Sequence, residues 1–89
     1  MQQDGNSVVV DRARFAELRD LAAEIFSATP EEVEAAESFV DDLGADSLLA
    51  IELVSRLEQV YDVVVDPEDI PLLVDLNTTY RVVAAGAGW

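Results

Sequence analysis

The sequence predicts an all-α fold: a small antiparallel four-helix bundle of three main helices and one short one, with a long loop between helices I and II. Three observations predict it. Apolar residues recur at helical spacing in separate windows along the chain. Good N-capping residues stand just before these windows: Asp11, Thr29 and Asp75. The only strand-like run, Val8-Val9-Val10, has no complementary run to pair with, so it reads as the packed approach to helix I. Apolar faces brought together by turns in one small chain make a bundle.

Each element follows in order. Helix I is expected over 12–27, with Phe15, Leu18, Ala22, Ile25 and Phe26 on one side and Glu17, Arg19, Asp20 and Glu24 on the others. Thr29-Pro30-Glu31-Glu32 opens a short helical turn, with Thr29 as cap and Pro30 at the first helical position. From there to Asp46 runs a long connection, expected to be pinned by Val33, Phe39, Val40 and Leu43, and a loop of that length usually has a function. Helix II is expected over 47–61, burying Leu53, Val54, Leu57, Val60 and Tyr61. Pro71 limits the segment Glu68 to Leu72 to a short helix. The last helix, 76–85, would bury Leu76, Tyr80, Val82 and Val83 and stop at Gly86-Ala87-Gly88, with Trp89 free. The expected organisation is a flexible leader over 1–10, one domain over 11–86 and a tail over 87–89.

With 89 residues the chain suffices for one small domain, and 51% hydrophobic content provides a core. Five arginines and no lysine stand against 19 acidic residues, a net charge of −14. Nucleic acid and anionic membranes would repel such a chain, whereas basic patches on other proteins would attract it. Cysteine and histidine are absent, which removes disulfides, thiolate chemistry and the common zinc sites. No apolar run approaches a membrane span and the first residues lack a signal core, so a cytoplasmic monomer is expected.

The most informative stretch is Asp41-Asp42-Leu43-Gly44-Ala45-Asp46-Ser47-Leu48. It sets one serine between an acidic, glycine-containing turn and an amphipathic helix. Without histidine, a Ser-His-Asp nucleophile is impossible. A hydroxyl at a helix N-terminus, capping that helix, suits a phosphate ester instead. Calcium is a poor fit: the twelve residues Asp41–Glu52 end in Glu, but Leu43, Ala45 and Asp46 fall where an EF-hand loop needs two oxygen ligands and a glycine. Adjacent acids such as Asp41/Asp42 read as solvated surface rather than a catalytic pair.

The run Ser38-Phe39-Val40-Asp41-Asp42-Leu43-Gly44-Ala45-Asp46-Ser47-Leu48, followed by Ile51-Glu52-Leu53, resembles the attachment site of acyl carrier proteins. The resemblance extends from about residue 12 to 85. It implies that Ser47 carries a covalent 4′-phosphopantetheine arm derived from coenzyme A, and that the chain is a carrier without catalysis of its own. The implied partners are a phosphopantetheinyl transferase and acyltransferases, ketosynthases or adenylating enzymes with basic docking surfaces. The implied recognition residues are Asp46, Leu48, Leu49, Ile51, Glu52, Ser55, Glu58 and Leu73. The face of helix II departs from fatty-acid carriers. Leu49 and Gln59 stand where acids are usual, Arg56 where a small apolar residue is common, and Asp46-Ser47-Leu48-Leu49-Ala50 is similar to peptidyl carriers. Leu49 is expected as an exposed partner contact.

These features favour a free-standing acyl carrier of polyketide or related specialised biosynthesis. An aminoacyl or peptidyl carrier of a nonribosomal or hybrid pathway is the alternative. From another class, the rival is an acidic helical interaction module that is never modified. Val54, Leu57, Tyr61, Leu73 and Leu76 are the residues expected to line any inner space for cargo.

Overall fold

A computed structural model describes residues 10–89. All its regular structure is helical: α1 (Arg12–Phe26), α2 (Pro30–Ala35), α3 (Phe39–Leu43), α4 (Ser47–Tyr61), a 3-10 helix (Pro67–Leu72) and α5 (Leu76–Ala87). Three long helices and one short one after α4 match the expected bundle. The long connection differs, because α2 and α3 fold within it. Each is too short to stand alone, so each relies on its cap and on packing. Thr29 and Glu32 form a reciprocal capping box at α2. Ser38 caps α3 by accepting from Asp41 N–H, and Gly44 closes it in the left-handed region at φ 67°. The expected leader 1–10 lies outside the described residues except for Val10, which is 45% exposed and so does not pack as expected.

Local chemistry sets the long helices as well. Asp11 caps α1 through Ala13 and Arg14 N–H, and Ser27 ends the helix at φ 55°. Asp75 caps α5 in a box with Thr78, and Gly88 ends that helix. Helix α5 therefore runs through Gly86 to Ala87, past the expected stop. A single glycine inside a helix costs only about 1 kcal/mol, and the continuation brings Trp89 back onto the bundle. Trp89, expected to be free, packs edge-on to Tyr61 at 5.3 Å and against Tyr80 at 5.5 Å. The Arg14 guanidinium lies 4.6 Å from the Trp89 ring centre.

The main core joins α1, α2, α3, α4 and α5 through Leu18, Phe26, Val33, Phe39, Leu53, Leu57 and Val83, among others. A second, smaller cluster of Val54, Val63 and Val65 sits under the α4–α5 connection, with Val82 packed against it. Two expected core residues face out: Val40 is 66% exposed and Val60 50%. Val60 follows the helical period, but it sits in the last turn of α4, where the bundle no longer covers that face. Tyr61 is half-buried, and its hydroxyl has no hydrogen-bond partner among the described residues. Burial first, and the neighbouring Glu17 carboxylate second, hold that phenol above its ordinary range.

Leu57 is fully buried. Its truncation to Ala should therefore cost about 2–5 kcal/mol, whereas Val60→Ala should change stability by less than about 0.5 kcal/mol. Urea unfolding followed by the fluorescence of Trp89, the one tryptophan of the chain, measures both.

Candidate functional site

Two constraints position Ser47. Upstream, the Asp42 Oδ2 carboxylate oxygen accepts from Glu37 N–H at 2.8 Å and Ser38 N–H at 3.2 Å, which fixes the entry to α3. Downstream, Gly44 turns the chain and Ala45 is buried in the core at 3% exposure. Ala45 is therefore an anchor, not a small residue leaving room for approach. Asp46 follows in extended backbone, and Ser47 begins α4.

The cap of α4 is Asp46. Its Oδ1 accepts from Leu49 N–H at 2.9 Å, and its carbonyl accepts from Ala50 N–H at 3.0 Å. Ser47 is not the cap, as the sequence suggested, but the first residue inside the helix, and it is exposed. This frees its hydroxyl from helix maintenance. Helix geometry leaves the N–H groups of Ser47 and Leu48 without intrahelical acceptors, at the positive end of the α4 dipole.

Beside Ser47 opens a groove of about 490 Å³, formed between the start of α4, the α3 region and the 3-10 helix. Its walls are mainly apolar: Val40, Ala50, Ile51, Ile70, Leu73 and Val74, with Pro67 and Pro71 stiffening one side. Among the expected site residues, Asp46, Ser47, Ile51 and Leu73 meet there. Leu48 and Glu52 are exposed on the same first turns of α4, Leu48 at 72%. Leu49 differs from expectation: it is half-buried and packs against the main core. Ser55 is exposed farther along α4 and does not line the groove. Glu58 is half-buried, and its Oε2 accepts from Val65 N–H at 2.9 Å, so it holds the chain after α4. Of the five residues expected around an inner space, only Leu73 lines this groove. Leu57 and Leu76 are packed in the main core, and Val54 belongs to the second cluster.

The sequence reading missed the far wall. Of its residues Pro67, Ile70, Pro71 and Val74, the sequence singles out only Pro71, and that as a limit on helix length. The available signal was the pair of prolines four residues apart, flanking apolar side chains that a 3-10 turn cannot bury.

Comparison with known proteins bears on this geometry. Residues 16–85 match the family model described as "Phosphopantetheine attachment site". The chain belongs to the acyl carrier protein family. It is 32% identical over 71 residues to an acyl carrier protein of Wolinella succinogenes, covering 80% of this chain and 93% of that one. It is 32% identical over 78 residues to "Polyketide-8 synthase acyl carrier protein 1" of Streptomyces avermitilis, covering 88% and 93%. Among solved structures it resembles a chain of "The ishigamide ketosynthase/chain length factor" with a TM-score of 0.73 and 35% identity, over 89% of this chain and all of that one.

Membership implies a covalently attached 4′-phosphopantetheine group. The carrier's own geometry accommodates one. An exposed hydroxyl, unfilled N–H groups for a phosphodiester and an apolar-walled groove for an extended arm lie together at the start of α4. No helix among the described residues is long and apolar enough to cross a membrane.

The division of labour between Asp46 and Ser47 has a measurable consequence. Asp46→Ala should lower stability by about 1 kcal/mol through loss of the cap. Ser47→Ala should shift it by less than about 0.5 kcal/mol. Thermal melts followed by helical circular dichroism should separate the two variants.

Proposed function

We propose that Ser47 is the attachment residue, and that the protein carries acyl intermediates between partner enzymes in the cytoplasm, in polyketide or related specialised biosynthesis. The observation that carries the assignment is the exposed Ser47 hydroxyl at the first position of α4, beside the groove and inside the matched region 16–85. The other described serines have different settings. Ser27 ends α1 in the left-handed region, Ser38 caps α3, and Ser55 lies in the middle of α4. The polyketide context is supported by the Streptomyces relative and by the ketosynthase/chain length factor structure.

The bound arm would supply a thiol that holds cargo as a thioester. The chain's own residues present and steer it. The first N–H groups of α4 and its dipole favour the phosphodiester at Ser47. Asp46 adds a like charge next to that ester, but one of its carboxylate oxygens is occupied by Leu49 N–H, which tempers its effect. Leu48 and Ile51, both exposed, offer apolar contact next to the arm. Asp46 and Glu52 flank them with negative charge, which suits a transferase, ketosynthase or acyltransferase with a basic docking surface.

Intact mass spectrometry tests the assignment. Incubation with coenzyme A and a broad-specificity phosphopantetheinyl transferase should add one arm to the protein, with the peptide containing Ser47 modified. Ser47→Ala should add none, and a mass gain in that variant would sink the assignment. An unmodified wild-type chain would favour the rival interaction module.

Recognition should separate by chemistry. Glu52→Lys should slow association with the transferase and flatten its salt dependence, because rim charges act mainly on encounter. Ile51→Ala should mainly speed dissociation. Stopped-flow binding at several ionic strengths resolves both, and a Glu52→Lys variant with unaltered association would remove α4 from the recognition surface.

A further inference from the structure

The capping box of α5 lies some thirty residues downstream of Ser47, yet a chain of hydrogen bonds joins the two. Thr78 Oγ1 accepts from Val74 N–H at 3.2 Å and from Asp75 N–H at 3.1 Å, and the hydroxyl donates to Asp75 Oδ1 at 2.9 Å. Val74, whose N–H also donates to the Leu72 carbonyl at 2.9 Å, turns its own carbonyl to Phe39 N–H at 2.7 Å. The Phe39 carbonyl accepts from Gly44 N–H and, at 3.1 Å, from Ala45 N–H. Asp46 and Ser47 follow directly. Val74 also lines the groove beside Ser47, together with Ser38 and Val40 from the start of α3.

We propose that Thr78 is a positioning residue for the reaction at Ser47. It fixes Val74, and through the Phe39 backbone it sets where the Gly44–Ser47 turn stands against the far wall of the groove. The inference rests on Ser47 being the modified residue. Its physical basis is the location of the relay. The Phe39–Val74 bond ties the α3 turn to the segment that leads into α5. Val74 N–H is shared between the Leu72 carbonyl at 2.9 Å and Thr78 Oγ1 at 3.2 Å, so without Thr78 only a local i→i−2 bond remains, and that bond does not tie Val74 to α5. A turn tied to a less firmly held Val74 samples more orientations of the hydroxyl, and small misplacements of a reacting group reduce rate steeply. Thr78 itself does not line the groove and lies outside the exposed face of α4, so it would act on presentation rather than on docking.

The test uses the full chain with Thr78→Val, which keeps the shape and removes the hydroxyl, and Thr78→Ser, which restores it. Thr78→Ala serves in addition where a valine methyl crowds the cap. Amide hydrogen exchange by NMR reads the relay, and transfer from coenzyme A by a broad-specificity phosphopantetheinyl transferase reads the consequence. In Thr78→Val the Phe39, Gly44 and Ala45 amides should exchange about tenfold faster relative to those of buried α4. The kcat for modification should fall about three- to tenfold, with KM for the carrier within about twofold. Thr78→Ser should recover both. An unchanged rate, an unchanged Phe39 amide, or a slowed rate that serine does not rescue overturns the proposal. A wild-type chain left unmodified at Ser47 would instead sink the attachment assignment, and the exchange measurement would still decide whether Thr78 governs the turn.

Discussion

Phe39 holds the α2–α3 connection to the bundle in two ways at once. Its ring is 2% exposed and stacks at a tilt on Phe26, with centroids 4.9 Å apart. Its backbone donates to Val74 and accepts from the Gly44–Ala45 turn. A connection of this length has high conformational entropy, and ordering each residue costs on the order of 1–2 kcal/mol. Helices as short as α2 and α3 cannot offset that by themselves. Burying an aromatic ring in the main core stabilises by roughly 1.5–3 kcal/mol, and the caps at Thr29 and Ser38 add their hydrogen bonds. The groove beside Ser47 depends on this anchoring, because α3 forms one of its sides and Val74 another.

The placement of charge follows from the few cations available. Arg19 pairs with Asp20 at 3.0 Å and with Glu34 on α2, while Arg56 on α4 reaches Glu24 on α1 at 3.2 Å. Arg14 pairs loosely with Asp11 and covers Trp89. Solvent screening leaves each of these exposed pairs little net stabilisation. Their position matters more than their strength. Two of them, Arg19–Glu34 and Arg56–Glu24, bind α1 to α2 and α4, and none of the four involves Asp41, Asp42, Asp46 or Glu52. The negative field around the start of α4 is therefore left without a cationic side-chain partner among the described residues. Such a field attracts basic surfaces in general, and salt weakens it.

Much of this was legible in the sequence because it is local. Asp11, Thr29 and Asp75 cap where their side-chain chemistry says they should, and the long helices begin at the expected residues. What escaped depends on tertiary geometry. Helical period assigns Val60 to the buried side but cannot say that the edge of that face is left uncovered, while Tyr61 beside it packs against both clusters. Period likewise cannot show that Leu49 leans onto the core. Periodicity does not mark α3, because five residues carry no periodic signal, and its only local marks are the cap residues Ser38 and Gly44. Trp89 looks free until α5 is seen to continue through Gly86. Ser47 looked like the cap because serine is a good one. Asp46 is as good and stands one residue earlier, and only backbone geometry decides between them.

That decision matters to function. A residue that caps a helix with its side chain cannot be esterified without giving up its hydrogen bond, and each modification would then loosen the helix it begins. With Asp46 as cap, the Ser47 hydroxyl is free of that duty, so the chain can be present with or without a group on Ser47 while α4 keeps its first turn. The same arrangement leaves the Ser47 and Leu48 N–H groups facing outward rather than occupied. The carboxylate of Asp46 repels an added phosphate, yet the helix dipole and these N–H groups attract it at closer range. Because Asp46 is held to Leu49 N–H, its charge is directed into the helix end, where it complements the dipole. An acid immediately before the serine, unfavourable if judged by charge alone, is thereby compatible with a stable phosphodiester on the next residue.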